Sequence, residues 1–208
     1  MRVIVTAGGT KEDIDPVRGI TNYSTGRLGS LIATRFISVG ATVTYIRGEN
    51  AATPEAHPNL QIITIRNTNQ LNNELVSSLT SQQYDAVIHT MAVSDYAPEV
   101  THTTKISSDA PYIQLTLKRL PKVIKRIKEI QPNTKLVGTK LLVDANEEEL
   151  AQAALKQMAE SKSDYVLANS LKDIHGDRHK AYLFNSDGLV SKAETKQEIA
   201  EMIYEVLK

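Results

Sequence analysis

Two short segments near the amino terminus carry residue types suited to phosphate chemistry. The first is Thr6-Ala7-Gly8-Gly9-Thr10, directly after the apolar run Val3–Val5. If that run is a strand, the glycines lie beyond its carboxyl end, where open α/β sheets take their ligands and where glycine lets the backbone approach one closely. A tight turn with no ligand uses the same residues. The second segment is Asn22-Tyr23-Ser24-Thr25-Gly26-Arg27-Leu28-Gly29. It crowds hydroxyls and glycines at the mouth of a helix, where free N–H groups and the helix dipole favour an anion. Ser24 and Thr25 add hydroxyl donors. The structural alternative is that Ser24 or Thr25 caps the helix and Gly29 permits close helix–strand packing. Neither segment is a dinucleotide fingerprint, because no Gly-x-Gly-x-x-Gly occurs.

The elements that would position these residues alternate along the chain. Val3–Val5 reads as a strand buried on both faces. Residues 26–39 place Leu28, Leu31, Ile32, Phe36 and Val39 on one helical stripe that ends at Gly40. Ala41–Arg47, Leu60–Ile65 and Ala86–Ile88 read as further strands, with a weaker helix over 68–81 between the last two. The stretch 97–118 breaks the alternation. It holds Pro98 and Pro111, then the period-two run 112–117, and predicts an antiparallel arm outside the main sheet. Pro121 suits the first turn of a helix near 121–130. Leu136–Gly138 is the next strand. Asn146 with Glu149 predicts a capped helix with Leu150, Ala153, Ala154 and Met158 inward. Tyr165–Ala168 and Ala181–Phe184 are late strands. Thr195 with Glu198 predicts a capping box for a last helix, with Ile199, Met202, Ile203, Val206 and Leu207 inward. The pattern predicts one α/β domain over 1–208: a doubly wound, mostly parallel, Rossmann-like sheet with helices on both faces and an irregular antiparallel arm.

Composition narrows the function. The 208 residues include no cysteine, which excludes disulfides, thiolate metal sites and a cysteine nucleophile. Twenty-four basic and 24 acidic side chains cancel, so the chain lacks the bulk positive charge of a sequence-independent nucleic-acid binder. No run approaches the ~20 apolar residues of a membrane span, and no signal-peptide core follows Met1. The expected setting is cytoplasmic, with neither nucleic acid nor membrane as partner.

The two amino-terminal segments, with Asp15-Pro16-Val17-Arg18 and Ile20-Thr21 between them, resemble the phosphopantothenate–cysteine ligase family. Ala92-Val93-Ser94-Asp95-Tyr96, Lys105-Ile106 and Leu167-Ala168-Asn169 resemble that family's later segments. The resemblance covers nearly the whole chain. It implies a step of coenzyme A synthesis in which the carboxylate of 4′-phosphopantothenate is activated by CTP or ATP and the acyl-nucleotide is captured by cysteine. Met1 leads straight into the motif, which matches the stand-alone form, and this implies no flavin and no decarboxylase activity. It also implies Mg2+ accompanying the triphosphate, no dedicated metal ligands, and a homodimer using part of 97–118.

Transferred residue by residue, the resemblance implies catalytic roles for Asn22 at the acyl group and Lys105 at the phosphates. Nucleotide contacts are expected from Gly8, Gly9, Ser24, Thr25, Gly26, Met91, Ala92, Asp95 and Thr139 as well as Lys105. Substrate contacts are expected from Arg18, Asn22 and Asn169. Each has a bland alternative: Lys105 as a solvated surface lysine, Asn22 as a turn or cap, Asp95 as a strand end, Arg18 as a surface ion pair. Ser107, Met91, Thr139 and Ser170 depart from the bacterial pattern and bear on nucleotide preference. CTP is the expected nucleotide.

Three further features stand apart. Lys118, Arg119, Lys122, Lys125, Arg126 and Lys128 surround one predicted helix, as a phosphate or nucleic-acid patch or as a solvated face. His175 and His179 would clip a metal only on a helix; Gly176 and the polar neighbours favour a loop. The rival functions are an NAD(P)-dependent oxidoreductase, for which Glu49 lies where a ribose-binding acid would sit and Tyr204-x-x-x-Lys208 is a poorly placed pair, and a non-catalytic nucleotide-binding module.

Overall fold

The computed structural model describes residues 1–208. Strand β1 (Arg2–Ala7) leads into a hairpin of β2 (Lys11–Asp15) and β3 (Arg18–Thr21). Helix α1 (Arg27–Ser38) returns the chain to β4 (Thr42–Gly48) and β5 (Leu60–Ile65), and α2 (Thr68–Ser81) to β6 (Ala86–His89). A small ribbon of β7 (Tyr96–Pro98) and β8 (Leu117–Arg119) closes the arm. Then follow α3 (Val123–Ile130), β9 (Lys135–Leu142), α4 (Glu147–Ser161), β10 (Tyr165–Ser170), β11 (Ile174–His175), β12 (Arg178–Asn185), β13 (Gly188–Thr195) and α5 (Lys196–Leu207).

Six of these strands pair in parallel in the order β5-β4-β1-β6-β9-β10, and β12 adds antiparallel to β10. The chain starts in the middle, winds to one edge and returns to wind to the other, which is the doubly wound topology. Side-chain alternation sends Val3, Val5 and Ala7 to the face covered by α1 and α5, with Ile88 and Val137 beside them. Ile4, Val87 and Leu136 go to the face covered by α2 and α3. Both faces are dry, so these strands read as continuous apolar runs rather than alternating ones. No helix is long and apolar enough to cross a membrane.

Several expectations need correction. The run 112–117 contributes only Leu117 to a strand. The ribbon gains one extra rung, Glu99 N–H to Thr116 O. Beyond it the outgoing leg turns to β2, where Thr101 and His102 bond Asp13 O and Ile14 O, and residues 112–116 lose their partner. Helix α3 starts at Val123, two residues after Pro121, because Leu120 is still extended and donates to Asp95 O. The Asn146–Glu149 capping box forms in full. At α5 only half forms: Thr195 accepts from Glu198 N–H, while the Glu198 carboxylate takes the N–H of Glu194. Val39, read as inward, is 43% exposed at the end of α1. The strands β2, β3, β11 and β13 have no counterpart in the reading of the sequence.

Gly29 sits where α1 crosses β1. A Cβ there would lie 2.5 Å from Ala7 Cβ and 2.9 Å from Thr90 Oγ1. The strand cannot yield without disturbing two layers. Gly29→Ala is therefore expected to destabilise the fold by about 1–3 kcal/mol, the usual cost of overpacking, measured as a lowered urea midpoint at unchanged slope. An unchanged midpoint would show that the helix shifts freely.

Candidate active site

Strands β1 and β6 lie side by side, but their following segments leave on opposite faces of the sheet. That divergence is the switch point where doubly wound folds hold ligands. Its floor is closed by backbone. Ala92 N–H donates to Gly8 O at 2.8 Å and Thr10 N–H to Ala92 O at 3.1 Å, extending the parallel pairing past both strand ends. Thr10 Oγ1 donates to Ser94 Oγ at 3.0 Å and accepts the Ser94 N–H at 2.9 Å. Gly8, Gly9 and Ala92 thus form the floor through main-chain groups.

Asn22 follows the hairpin and rims a cleft of about 170 Å³ with Gly9, Lys11, Ser24, Glu49 and Arg66. Its amide nitrogen donates to Val93 O at 3.3 Å. Gly26, rather than Ser24 or Thr25, takes the N-cap position, at φ 73°. Thr25 Oγ1 accepts only the first N–H of α1, that of Arg27, at a long 3.5 Å, which leaves the N–H groups of Leu28 and Gly29 without a side-chain cap. A side chain at Gly26 would be strained in that left-handed conformation and would meet Ala51 Cβ at 2.7 Å.

Other expected site residues fall into distinct settings. Met91 is buried in the core beneath α2, and its N–H donates to Thr6 Oγ1 at 3.4 Å. Asp95 is exposed and ion-paired with Lys122. Thr139 donates to His89 O at 3.3 Å. Asn169, at the carboxyl end of β10, is buried with its amide 2.9 Å from His179 Nε2. Arg18 is not a free clamp: Nη2 donates to Ile106 O at 3.0 Å, and Nη1 lies 3.4 Å from Asp15. Lys105 is exposed on the arm and does not line the Asn22 cleft. It adjoins Ile106, which is tied to the hairpin tip, whereas Asn22 follows the hairpin base. The expectation of Asn22 and Lys105 acting together thus places them at opposite ends of one short ribbon, roughly 13 Å apart at ~3.3 Å per residue.

The sequence reading missed Arg66. It makes a bidentate pair with Asp13, both contacts 2.8 Å, and a third bond to Glu49 at 2.7 Å. The Arg66 hydrogen bonds hold the Asp13 carboxyl below its ordinary range. Arg66 follows β5 at its carboxyl end, the one signal that could have flagged it. Glu49 is thereby engaged by a cation rather than offered to a ribose. Tyr204 lies on α5 under Arg35 and against Phe36, and Lys208 pairs with Glu205. Of the two features of the oxidoreductase reading, Glu49 rims the cleft but is taken up by Arg66, and the Tyr204–Lys208 pair lies on the last helix and does not line that cleft. Half of the basic stretch is ion-paired, Lys122 to Asp95, Arg126 to Glu129 and Lys128 to Asp164, as in a solvated face. Its first part lies on β8 rather than on α3. A recess of about 360 Å³ beside Arg119, Lys122 and Lys125 lies apart from the Asn22 cleft. His175 and His179 are on paired strands, not a helix or a loop, and no group of three or more potential metal-ligating side chains occurs.

Fold and crevice define a doubly wound α/β protein with a cleft at the switch point of its sheet. The chain belongs to the DNA/pantothenate metabolism flavoprotein C-terminal domain family, whose model matches residues 1–208. It is 36% identical over its whole length to the coenzyme A biosynthesis bifunctional protein CoaBC of Thermococcus kodakarensis, of which it covers 51%. The chain thus spans about half the length of the curated relatives it matches. A solved DNA/pantothenate metabolism flavoprotein from Streptococcus pneumoniae is 39% identical with a TM-score of 0.93, covering 100% of this chain and 98% of that one. The C-terminal domain of CoaBC is 26% identical with a TM-score of 0.77, covering 99% and 93%.

His89 closes β6 beneath the crevice, its Nδ1 2.9 Å from Thr6 Oγ1. Burial lowers its pKa from 6.5 to about 4. The folded state therefore holds His89 neutral at pH values where the unfolded chain binds a proton. Its contribution is complete above about pH 6.5 and is lost as pH falls towards 4. That gap corresponds to on the order of 3 kcal/mol. Urea titrations between pH 7 and 4 are expected to show this loss, and His89→Asn to reduce it without abolishing it, because burial and the Lys196 charge also lower His179 to about 4. An equal slope in the variant would assign the loss to other groups.

Proposed function

We propose that this chain joins 4′-phosphopantothenate to cysteine in coenzyme A biosynthesis. The reading is carried by the family match over the whole chain together with Asn22 at the rim of the switch-point cleft. In the first half-reaction a carboxylate oxygen attacks the α-phosphorus of a nucleoside triphosphate. The bond to the bridging oxygen breaks and pyrophosphate leaves. In the second, the cysteine amine attacks the acyl carbon and loses a proton as the amide forms. The acyl–oxygen bond breaks and nucleoside monophosphate leaves.

The uncapped first turn of α1 suits phosphate oxygens. An amide at Asn22 can donate to the acyl oxygen without competing for a proton. An extended nucleoside triphosphate is about as long as the hairpin, so a pyrophosphate group directed towards its tip would meet Lys105. CTP is the proposed nucleotide. Mg2+ is proposed to arrive as the triphosphate's counter-ion. The exposed apolar side chains Tyr112, Ile113, Leu115 and Leu117 of the arm suit a homodimer contact.

Pyrophosphate release with 4′-phosphopantothenate and each nucleotide in turn tests the whole reading, and no release with any of them would overturn it. Lys105→Ala is expected to slow that step by about 10²–10³-fold, the scale of one charge donor at a developing anion, in a folded protein. Near-normal release would make Lys105 a surface lysine.

Asn22→Asp keeps the shape but turns a negative charge on an oxygen that gains charge in the transition state. Product formation is expected to fall at least ~10²-fold, with nucleotide affinity little changed. A two-step assay that follows pyrophosphate and then phosphopantothenoylcysteine separates the effects; full turnover would remove Asn22 from the mechanism. Light scattering is expected to report two copies, and a monomer at assay concentration would count against the arm as an interface.

A further inference from the structure

We propose that Asp15 and Arg18 form a latch that positions Lys105 by gripping both backbone groups of Ile106. The proposal rests on the reading of Lys105 as a phosphate-binding lysine. The side chain of Asp15 is fully buried at the tip of the β2–β3 hairpin. Its two oxygens have separate tasks. Oδ1 accepts the N–H groups of Val17 at 2.9 Å and Arg18 at 2.8 Å, which shapes the turn. Oδ2 faces away from the turn. It accepts the Ile106 N–H at 3.2 Å and lies 3.4 Å from Arg18 Nη1. Arg18 Nη2 completes the grip by donating to Ile106 O at 3.0 Å.

A residue whose N–H and C=O are both held cannot rotate its peptide planes, and the neighbouring Cα is fixed with it. That neighbour is Lys105. The same leg of the arm is tied upstream by Thr101 Oγ1 to Asp13 O at 3.2 Å and by His102 N–H to Ile14 O at 2.9 Å. Downstream, Ser107 and Asp109 bond only each other before Thr116 rejoins the ribbon. Ile106 is therefore the last anchored residue of the leg. Lys105 itself makes no ion pair and is exposed. It is held by main chain alone, which leaves the ammonium free for a ligand.

The charges within the grip balance. Burial alone would raise the Asp15 pKa, but hydrogen bonds from Val17, Ile106 and Arg18 N–H and the Arg18 charge outweigh it and hold it below the ordinary carboxylate range. The carboxylate stays ionised at neutral pH, and hydrogen bonds to a buried ionised group are stronger than neutral ones.

Asp15→Asn tests this selectively. Its Oδ1 can keep the turn, whereas an Nδ2 in place of Oδ2 cannot accept from Ile106. Arg18→Gln is the second variant and removes the grip on Ile106 O. Trypsin reports the latch directly, because the bond after Lys105 is the one that it guards. Cleavage between Lys105 and Ile106, mapped by mass spectrometry, is expected to quicken at least about tenfold in both variants. Pyrophosphate release is expected to fall about tenfold. In a Lys105→Ala background neither variant should slow release further, which a general loss of structure would not reproduce. Wild-type cleavage rates in both variants overturn the latch. A further loss of release in the Lys105→Ala background overturns positioning in favour of a structural role. A wild-type protein that releases no pyrophosphate sinks the ligase reading instead, and the cleavage rates then decide the latch alone.

Discussion

Two backbone hydrogen bonds beyond the ends of β1 and β6 hold the working edge of this protein together. In a doubly wound sheet the chain leaves neighbouring central strands in opposite directions, and a crevice opens between them. Here Ala92 bonds back to Gly8 and forward to Thr10, so the floor of that crevice is pinned rather than open. Thr10 then ties the floor to Ser94 through two hydrogen bonds and lies 3.3 Å from Thr68 at the start of α2. The hairpin, the cleft rim at Asn22 and the segment 92–95 all depart from this junction. Their relative positions depend on it more than on any side-chain contact at the surface.

The cleft's charge follows from how its cations are used. Arg66 faces two carboxylates, Asp13 and Glu49, and has no net charge left for a ligand. Its planar fork instead ties the hairpin to the segments after β4 and β5, which stiffens the wall opposite Asn22. Attraction for an anion falls to the uncapped first turn of α1 and to Lys11, which makes no ion pair. A helix terminus offers fixed N–H dipoles rather than a mobile charge. It therefore selects an anion placed at one point and is less sensitive to the total charge of the ligand.

Much of the scaffold was legible because its physics is local or periodic. Buried parallel strands are continuous apolar runs, α4 and α5 declare themselves by stripe and cap, α1 by its stripe and the glycine that ends it, and α2 more weakly. The hairpin was invisible for the opposite reason. Lys11–Thr21 has no alternating apolar face, since its ribbon is stabilised by buried carboxylates and one arginine from a distant strand end. The arm misled because 112–117 has strand periodicity but no partner once the outgoing leg has bonded to β2. The glycines and Asn22 stand out by placement and by the family resemblance. Arg18 stands out by the resemblance too, but nothing in the sequence links it to Ile106, 88 residues away.

The acids of β2 show what local reading lacks. A run of Glu12-Asp13-Ile14-Asp15 looks like a solvated edge, and strict alternation would put Asp13 and Asp15 on one face together. The register shifts between them, and this bulge turns Asp15 inward while Asp13 faces Arg66. Glu12, on the other face, is also buried and accepts the Thr68 N–H at 2.9 Å and hydroxyl at 2.7 Å, where a carboxylate suits the positive end of α2. Three neighbouring carboxylates thus hold three different partners: a helix start, an arginine on the cleft wall, and the arm that carries Lys105. One extra residue in a five-residue strand makes that division possible. Without the shift, two carboxylates would compete for Arg66 and the arm would have no acceptor at the hairpin tip.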